Sequence, residues 1–401
     1  MNHWPRVAFF SDSYHGVDGV ATTCRNIVKA AHKNKLPFLA VHAGEKNLKS
    51  REERLEILEL NQSLLSLQID KHLKFDLLFT RHYKQALETV REFRPDVVHI
   101  TGPSDVGITG ARVAHALRVP LVASWHTNLH EFAGRRLWKM AAALPEPQRR
   151  ALTALTEEQV LRICLRFYRI ATVLLAPNSE QMDLLRHRTK KPVFPMRRGI
   201  DTTLFSPTKR DVNDLTFRLG FVGRICPEKN VRFLVDLERD LAEHGFNNYR
   251  FLIVGDGSER AWLERNLPHA DFTGELHAEL LARAYANMDL FVFPSETDTY
   301  GNVVSEAMAS GTPAIVSSKG GPKYQIQNGV TGFVAAGNRD FCAKVKWLMT
   351  NPEQHWRFRE ACRVWAGGRS WNAILDDLLK AYRASLNWPS AESIAQERAA
   401  S

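Results

Sequence analysis

The sequence has few cysteines, no long apolar run and no evident internal repeat. Its five cysteines form no C-x-x-C pair and have no neighbouring histidine: positions 24, 164, 226, 342 and 362. This scatter gives no sign of a disulfide framework or a cysteine-ligated zinc site and is typical of reduced cytosolic thiols. The longest apolar runs, such as residues 171–177, are much shorter than the about 20 residues of a membrane-spanning helix. Because no signal-peptide pattern begins the sequence either, we expect a cytoplasmic protein.

The length and charge of the chain give the next constraints. A chain of 401 residues exceeds what one hydrophobic core usually supports, so two domains of about 200 residues are expected. Residues 1–200 hold 31 Lys and Arg against 19 Asp and Glu, which is a net charge of +12. Because the whole chain has a net charge of +10, residues 201–401 carry a net charge of −2. The basic first half favours an anionic partner, such as a membrane surface, a phosphorylated acceptor or nucleic acid. A solvated basic surface without such a partner is the alternative.

Short apolar strands alternate with helices in both halves. The first half predicts strands at 7–10, 38–42, 97–100, 121–124 and 173–176, and helices at 20–32, 84–93 and 107–117. The second half predicts strands at 217–222, 250–254, 290–294 and 314–317, and helices at 231–243, 259–266, 277–286 and 302–310. Such alternation is typical of βαβ units, in which helices cover both faces of a parallel sheet. The fold class is therefore α/β, with two doubly wound domains.

The predicted domain boundary lies in a polar connection near residue 206. We assign residues 1–205 to an N-terminal domain, 206–370 to a C-terminal domain, 371–386 to a helix that crosses back to the first domain, and 387–401 to a frayed tail. Open parallel sheets bind ligands beyond the carboxyl ends of their strands. The residues that follow each strand are therefore the candidates for chemistry.

A polar loop and a helix follow the predicted strand 290–294. The loop carries Asp298, and Glu306 comes eight residues later, in the second turn of the helix. Unpaired N–H groups of the first helical turn suit a phosphate or a sugar hydroxyl, and a carboxylate there accepts hydrogen bonds from vicinal hydroxyls. The pair therefore predicts a sugar-binding site. The alternative is that Asp298 only caps the helix and that Glu306 is solvated.

Two cations follow the predicted strand 217–222. Gly223 allows a tight turn, and Arg224 and Lys229 come before the next helix. Two positive charges at one strand end suit a diphosphate, whose charge grows as a glycosidic bond breaks. Ordinary surface cations are the alternative, but cations at a helix start oppose the helix dipole. We therefore expect Arg224 and Lys229 to bind an anion.

The order and spacing of these motifs resemble the retaining glycosyltransferases of family 4. The likeness extends over nearly the whole chain and includes further segments at 16–23, 124–127, 198–201, 205–207, 254–257, 272–274 and 320–322. It implies the GT-B fold, in which two facing Rossmann-like domains enclose a cleft. Arg198 and the segment Asp-Thr-Tyr-Gly-Asn-Val at 298–303 are similar to a subgroup of mannosyltransferases and sulfoquinovosyl-diacylglycerol-type synthases, which form glycolipids.

The resemblance also implies roles for single residues. Arg224 and Lys229 would bind the donor diphosphate and stabilise it as the leaving group. Glu306 would hold the ribose hydroxyls, and His126 would lie over the sugar at the reacting centre, unless it is a core histidine. The other donor-binding positions are loop glycines: Gly16, Gly19, Gly223 and Gly274.

Asp298 departs from the family pattern. The family usually has Glu at both ends of an E-x7-E spacing, and the first Glu is replaced by Asp298 in this sequence. By the resemblance, Asp298 would hold sugar hydroxyls together with the backbone of Thr299, Tyr300 and Gly301. Because Asp is one methylene shorter, this contact would lengthen or pass through water. Glu296 is the alternative carboxylate.

The activity implied by the resemblance is transfer of a hexose of the mannose or glucose type. The donor would be a GDP- or UDP-linked sugar, the acceptor a hydroxyl of a lipid-linked or saccharide molecule, and the product an α-glycoside. No metal and no further cofactor are expected, because Arg224 and Lys229 supply positive charge. A GT-B epimerase or phosphorylase is the alternative. A nucleic-acid-binding protein is a distant one, since no helix-turn-helix, zinc or RNP motif is evident.

A basic segment in the first half is a candidate for membrane contact. Residues 134–169 hold eight Lys and Arg against three Asp and Glu, beside Trp, Met and Leu. This composition suits a helix that lies on an anionic membrane, here the inner membrane face. An ordinary packed helix with a basic outer face is the alternative.

Overall fold

The computed structural model describes residues 4–16, 19–63, 66–70, 73–76 and 78–388. Its chain forms two compact units, Met1–Arg197 with Ile374–Ser401, and Arg198–Ala373. The second unit thus begins before residue 206, the boundary expected from the sequence, because Ile200 and Phe205 pack in its hydrophobic core. Of the expected tail 387–401, residues 389–401 lie outside the described part of the chain.

The first unit is built on a large, mostly parallel sheet. Its strands are β1 Val7–Ser11, β2 Phe38–Gly44, β3 Leu48–Glu52, β4 Leu55–Asn61, β5 Ser66–Asp70, β6 Leu73–Asp76, β7 Val97–Ile100, β8 Leu121–Ser124, β9 Val173–Ala176 and β10 Val193–Pro195. The strand order is β10-β9-β8-β7-β1-β2-β4-β3, and β5 pairs with β6 in a separate antiparallel hairpin. Only β3 runs antiparallel within the large sheet as described. Every residue of β1 is buried, as expected for a strand covered on both faces.

Helices connect the strands of the first unit. They are α1 Gly19–Lys33, α2 Tyr83–Phe93, α3 Asp105–Leu117, α4 Leu129–Met140, α5 Glu146–Tyr168 and α6 Ser179–Thr189. Side-chain caps fix two helix starts: the Ser104 hydroxyl accepts a hydrogen bond from the N–H of Gly107 (3.0 Å), and the Asn178 amide oxygen accepts one from Gln181 (3.1 Å). Such caps satisfy N–H groups that have no partner within the helix.

The second unit is a smaller, entirely parallel α/β unit. Its strands are β11 Phe217–Val222, β12 Tyr249–Val254, β13 Ala270–Gly274, β14 Leu290–Phe293, β15 Ala314–Ser317 and β16 Gly332–Ala335, and its helices are α7 Phe233–Glu243, α8 Arg260–Asn266, α9 Ala278–Asn287, α10 Asn302–Ala309, α11 Asn338–Thr350 and α12 Pro352–Gly367. The strand order is β13-β12-β11-β14-β15-β16. The order reverses between β11 and β14, which is where open α/β sheets bind ligands.

The last helix, α13 Trp371–Leu386, belongs mostly to the first unit. The carboxylate of Asp377 accepts a hydrogen bond from Nε of Arg197 at 2.9 Å. The ring of Tyr382 packs edge-on against Trp4, with centroids 5.9 Å apart. Residues 374–388 are therefore part of the first unit, although Trp371 begins the helix in the second.

The predicted α/β class with two parallel sheets is confirmed. Each strand and helix predicted above is present with similar bounds, whereas β3 to β6, β10, β13, β16, α6, α11 and α12 were not predicted. In the part of the chain that the structure describes, no helix combines the length and apolar character needed to cross a bilayer.

Candidate active site

The loop after β11 carries the two predicted cations. Gly223 has a φ of +148°, which side chains other than glycine rarely adopt, and its N–H donates to the carbonyl of Val254 at 3.0 Å. A Cβ on Gly255 would stand 2.0 Å from the Gly223 carbonyl oxygen. The glycines thus let the loops after β11 and β12 pack backbone against backbone. Arg224 and Lys229 follow beyond the carboxyl end of β11.

Gly274 belongs to the same group of close-packed loops. It ends β13 with a φ of +74°, and its carbonyl accepts a hydrogen bond from the N–H of Gly255 at 2.8 Å. The predicted donor-binding glycines Gly223 and Gly274 are therefore linked through Gly255, at the carboxyl edge of one sheet.

A second glycine segment holds the loop after β14. The N–H of Gly321 donates to the carbonyl of Asp298 at 2.6 Å, and a Cβ on Gly321 would stand 1.8 Å from the carbonyl oxygen of Thr299. Gly301, with a φ of +83°, is the N-cap of α10, and its carbonyl accepts a hydrogen bond from Nε2 of Gln325 at 3.0 Å. Asp298 therefore does not cap this helix. Its loop backbone is fixed by contacts with the segment around Gly321.

The loops after β11 and β14 meet in a close ion pair. The ammonium nitrogen of Lys229 lies 2.6 and 2.8 Å from the two carboxylate oxygens of Asp298, and the side chains are 16% and 20% exposed. Beside the pair, the hydroxyl of Thr297 donates to the carbonyl of Glu228 at 3.1 Å. The two loops are distant in sequence, but β11 and β14 are neighbours in the sheet. The strand order therefore creates the pair.

The surroundings of Asp298 favour its ionised form. Burial raises its pKa, but the charge of Lys229 and hydrogen bonds from Lys229 and Ser295 outweigh this effect, so the pKa lies below its usual value. The charge of Arg224 lowers it further. Glu296, the alternative carboxylate, instead contacts Lys319 at 3.0 Å on the exposed side of the loop. Of the two carboxylates, Asp298 is the one coupled to the predicted cations.

Glu306 is held by a buried tyrosine that the sequence analysis did not identify. The hydroxyl of Tyr285 donates to Oε2 of Glu306 at 2.9 Å, from the end of α9 to the second turn of α10. Burial raises the pKa of Glu306, and the hydrogen bond from Tyr285 lowers it in part. Glu306 is therefore an oriented carboxylate rather than a solvated helix residue.

The remaining predicted residues, Gly16, Gly19 and His126, lie in the first unit. The carbonyl of Gly16 accepts a hydrogen bond from Arg25 at 2.7 Å, and that of Gly19, which begins α1, accepts one from Thr23 at 2.7 Å. Residues 17 and 18 between the two glycines lie outside the described part of the chain.

His126 is part of a row of buried polar side chains in the first unit. Its Nε2 lies 2.7 Å from Oγ of Ser124, which lies 3.0 Å from Nε2 of His99. Nδ1 of His99 in turn lies 2.9 Å from the hydroxyl of Tyr382. Burial lowers the pKa of His99 to about 3, so this imidazole is neutral at pH 7. His126 is thus buried and hydrogen-bonded, as a core histidine would be, yet it follows β8 at the carboxyl edge of the sheet.

Asp12 is a further carboxyl group, partly buried and not among the site residues predicted from the sequence. It directly follows β1 and accepts a short hydrogen bond from the Ser104 hydroxyl. Burial raises its pKa to about 7, and the nearby charge of Asp105 adds to the effect. Its position directly after the buried strand β1 could have indicated it, because ligand-binding residues of parallel sheets occur there.

Two α/β units, each built on a largely parallel sheet, form the architecture of the GT-B fold. Solved structures share this fold along nearly the whole chain. The structure of sucrose-phosphate synthase from Thermosynechococcus elongatus superposes on this chain with a TM-score of 0.70 at 18% identity. The match covers 98% of this chain and 99% of the synthase chain. WaaG, a glycosyltransferase involved in lipopolysaccharide biosynthesis, covers 93% with a TM-score of 0.64 at 15% identity, and 98% of that chain is covered.

The chain belongs to glycosyltransferase family 4. The family model described as Glycosyltransferase Family 4 matches residues 17–204, and the model described as Glycosyl transferases group 1 matches residues 216–351. Two relatives are GDP-mannose-dependent alpha-mannosyltransferases, from Mycolicibacterium smegmatis and Corynebacterium glutamicum. The Mycolicibacterium smegmatis protein is 36% identical, and the match covers 74% of this chain and 76% of the relative. The Corynebacterium glutamicum protein is 33% identical, and the match covers 73% of this chain and 68% of the relative.

A more distant relative is sulfoquinovosyl transferase SQD2 of Arabidopsis thaliana, 29% identical over 72% of this chain and 56% of its own. The family, the GT-B fold and the mannosyl- and glycolipid-forming subgroup expected from the sequence are all confirmed. The chain is a glycosyltransferase.

Proposed function

We propose that this glycosyltransferase transfers mannose from GDP-mannose to a hydroxyl of a lipid-linked or saccharide acceptor, with retention of the α-configuration. The observation that carries the proposal is the Lys229–Asp298 pair, with the positive charge of Arg224 acting on the same carboxylate. The pair lies beyond the strand edge where a parallel sheet binds nucleotides. It joins a diphosphate-binding cation to a carboxylate suited to sugar hydroxyls.

The choice of mannose and guanosine rests on the relatives. The mannosyltransferases of two species are named as GDP-mannose-dependent and match about three quarters of this chain. A structure of similar fold, Anabaena Alr3699/HepE, is in complex with UDP-glucose, at 14% identity and a TM-score of 0.67. A UDP-linked hexose is therefore the second candidate donor.

Electrostatic stabilisation of the leaving group is the main catalytic effect in this account. As the glycosidic bond breaks, negative charge grows on the diphosphate, and Arg224 and Lys229 would stabilise it there. Asp298 holds the Lys229 ammonium in one position through two hydrogen bonds. A preorganised cation of this kind needs no rearrangement during the reaction.

The remaining residues position the donor and the reacting centre. Glu306, oriented by Tyr285, would accept hydrogen bonds from the ribose hydroxyls. The acceptor hydroxyl would attack the anomeric carbon on the face that the diphosphate leaves, and a leaving phosphate oxygen would take its proton. His126, held by Ser124, would lie over the sugar. No metal is required in this account, since two cationic side chains supply the positive charge.

A panel of nucleotide sugars tests the function. We expect GDP-mannose to raise the thermal unfolding midpoint in proportion to the logarithm of its concentration and to be consumed only with an acceptor. Turnover without an acceptor indicates an epimerase, and a requirement for inorganic phosphate indicates a phosphorylase. Loss of activity in EDTA that magnesium restores would refute metal independence. The anomeric configuration of the product, measured by NMR, tests retention.

An exposed apolar stripe on α5 supports peripheral binding to an anionic membrane, which a lipid-linked acceptor would require. Leu152, Leu155 and Ile163 are exposed, Ile163 at 65%, and their spacing places them on one helix face. Arg166 lies on the same face, and Arg149 stacks on the ring of Trp138 at 3.5 Å. Basic residues beside exposed apolar ones are typical of helices that lie in a membrane interface.

A further inference from the structure

Three side chains in the first unit lie together as the ligands of a metal ion would. His15, His42 and Glu59 each offer one ligand atom, and these atoms all lie within 4.8 Å of one another. His15 lies in the loop after β1, His42 in β2 and Glu59 in β4. The three residues are far apart in sequence, so no metal-binding motif is visible in the chain.

The sheet itself sets the spacing of this cluster. His42 and Glu59 are register partners on the neighbouring parallel strands β2 and β4, so their side chains leave the sheet on the same face. Ser11, at the end of β1, is the register partner of His42 on the other side, and His15 follows four residues later. Three adjacent strands thus deliver one ligand each to the same edge.

Hydrogen bonds and stacking orient the ligand groups. Oε1 of Glu59 accepts hydrogen bonds from the N–H groups of Glu45 (3.1 Å) and Lys46 (3.3 Å), while Oε2 lies 3.4 Å from Nε2 of His15. The His42 ring stacks on the Tyr14 ring, with centroids 4.0 Å apart and an interplanar angle of 6°. Such supporting contacts orient metal ligands and are a usual part of metal sites.

We propose that His15, His42 and Glu59 bind a zinc ion, with water in the fourth position. Two imidazoles and one carboxylate form a common three-ligand set for zinc, whereas magnesium and calcium prefer oxygen ligands alone. Ligand atoms of a tetrahedral zinc site lie about 3.3 Å apart. The His15–Glu59 distance of 3.4 Å already meets this value. All three ligand atoms lie within 4.8 Å of one another, so zinc binding requires His42 to come closer to the other two by at most about 1.5 Å.

A bound ion would link the loop after β1 to the strands β2 and β4. His15 directly precedes Gly16, one of the two loop glycines that the family resemblance assigns to donor binding. Zinc would thus order this loop. The negative charge of the leaving group would still be stabilised by Arg224 and Lys229. Zinc binding is measured without donor or acceptor, so its failure and the failure of the proposed transfer are separate outcomes.

Zinc titration of the full chain tests the site. After removal of metal by a chelator, Zn²⁺ is titrated in competition with a chromophoric chelator, and Co²⁺ is titrated by visible absorption. We expect one equivalent of each, intense tetrahedral Co²⁺ bands, and affinities at least about tenfold weaker in H15A and E59Q. H15A removes a side chain that is 56% exposed, so folding should be unaffected. H187A, which removes an exposed histidine outside the cluster, is the matched control and should bind as the wild type does.

Two results would overturn the proposal. One is that the wild type binds less than one equivalent of zinc, in which case His15 and Glu59 form only an ion pair. The other is binding that is unchanged in both H15A and E59Q, which assigns the metal to other surface groups. The thermal midpoint gives a second measurement, since zinc should raise it in the wild type and in H187A but not in H15A.

Discussion

The ammonium group of Lys229 is bound by both carboxylate oxygens of Asp298, at 2.6 and 2.8 Å. The contact connects the loops that follow two neighbouring strands, β11 and β14. Aspartate in place of the usual family glutamate therefore keeps a carboxylate beside the cation that is proposed to bind the leaving diphosphate. A pair enclosed to this degree is both a structural link and a means of fixing a charge in position.

Removal of Lys229 should destabilise the second unit as well as abolish transfer. K229M leaves Asp298 enclosed without its counter-ion, which costs about 3 kcal/mol of unfolding free energy. K319M breaks the pair with Glu296, whose side chains are 69% and 42% exposed, and should cost at most about 1 kcal/mol. The double variant K229M/D298N should recover part of the stability but no activity. Equal losses in K229M and K319M, measured by denaturant unfolding, would contradict this role of the pair.

Tyr285 should act as a positioning residue for Glu306. A hydrogen bond to a charged group contributes about 1.5–3 kcal/mol, so Y285F should raise the KM for the donor by at least about tenfold, with a smaller change in kcat. Because the Tyr285 bond lowers the pKa of Glu306, the acid limb of kcat/KM should also move to higher pH in Y285F. Y249F removes a buried hydroxyl with only a long contact to the Glu238 carbonyl, at 3.4 Å, and should leave both unchanged. An unshifted acid limb in Y285F would assign Tyr285 a purely structural role.

Asp12 should make stability depend on pH. Burial raises its pKa from 3.8 to about 7 in the folded protein, so the native state holds a proton that the unfolded state releases. The contribution to stability is therefore complete below about pH 4 and is lost as pH rises to about 7. The D12N variant lacks this titratable group. The difference in unfolding free energy between D12N and the wild type should therefore increase from about pH 4 to about pH 7 and stay constant at higher pH. A constant difference between the two proteins would show that Asp12 is ionised throughout.

Vesicle sedimentation tests the apolar stripe of α5. The wild type should sediment with anionic vesicles at low salt, and L155E/I163E should lose most of this binding because charge replaces apolar area on the membrane-facing side. L215E alters an exposed leucine of the second unit and should bind as the wild type does. Failure of the wild type to sediment, or equal binding of both variants, would argue for an ordinary solvated helix.

Replacement of Ser124 tests the row of polar groups behind His126. S124A removes the hydroxyl that lies 2.7 Å from Nε2 of His126, so the imidazole should be held less firmly in its orientation. We expect kcat to fall by about tenfold with little change in the KM for the donor, since the effect is confined to the reacting centre. Y382F alters the far end of the row and should have a smaller effect. A loss confined to KM would place His126 in donor binding instead.

The buried strands could be predicted because parallel strands covered on both faces read as uninterrupted apolar runs. Strand β3 could not, since all of its residues are exposed and its sequence, Leu-Lys-Ser-Arg-Glu, shows no apolar pattern. The domain boundary was displaced for a similar reason: the segment with Ile200 and Phe205 reads as a polar connection, yet these two side chains pack in the second core.

The site residues also differ in whether a local sequence pattern could indicate them. Arg224, Lys229, Asp298 and Glu306 could be predicted because they lie in loops after strands or in the first two turns of a helix, where local spacing carries the signal. Tyr285 could not, because its contact with Glu306 depends on how α9 packs beside α10. The zinc ligands His15, His42 and Glu59 depend on strand order and register, which no local pattern shows.

If the cations and carboxylates of the second unit bind one activated sugar together, the double variant R224A/E306Q lacks one group of each kind. We expect kcat/KM for GDP-mannose to fall by at least about a hundredfold, together with a loss of GDP affinity measured by calorimetry, while the protein remains folded. Wild-type turnover and GDP affinity in this variant would contradict the account.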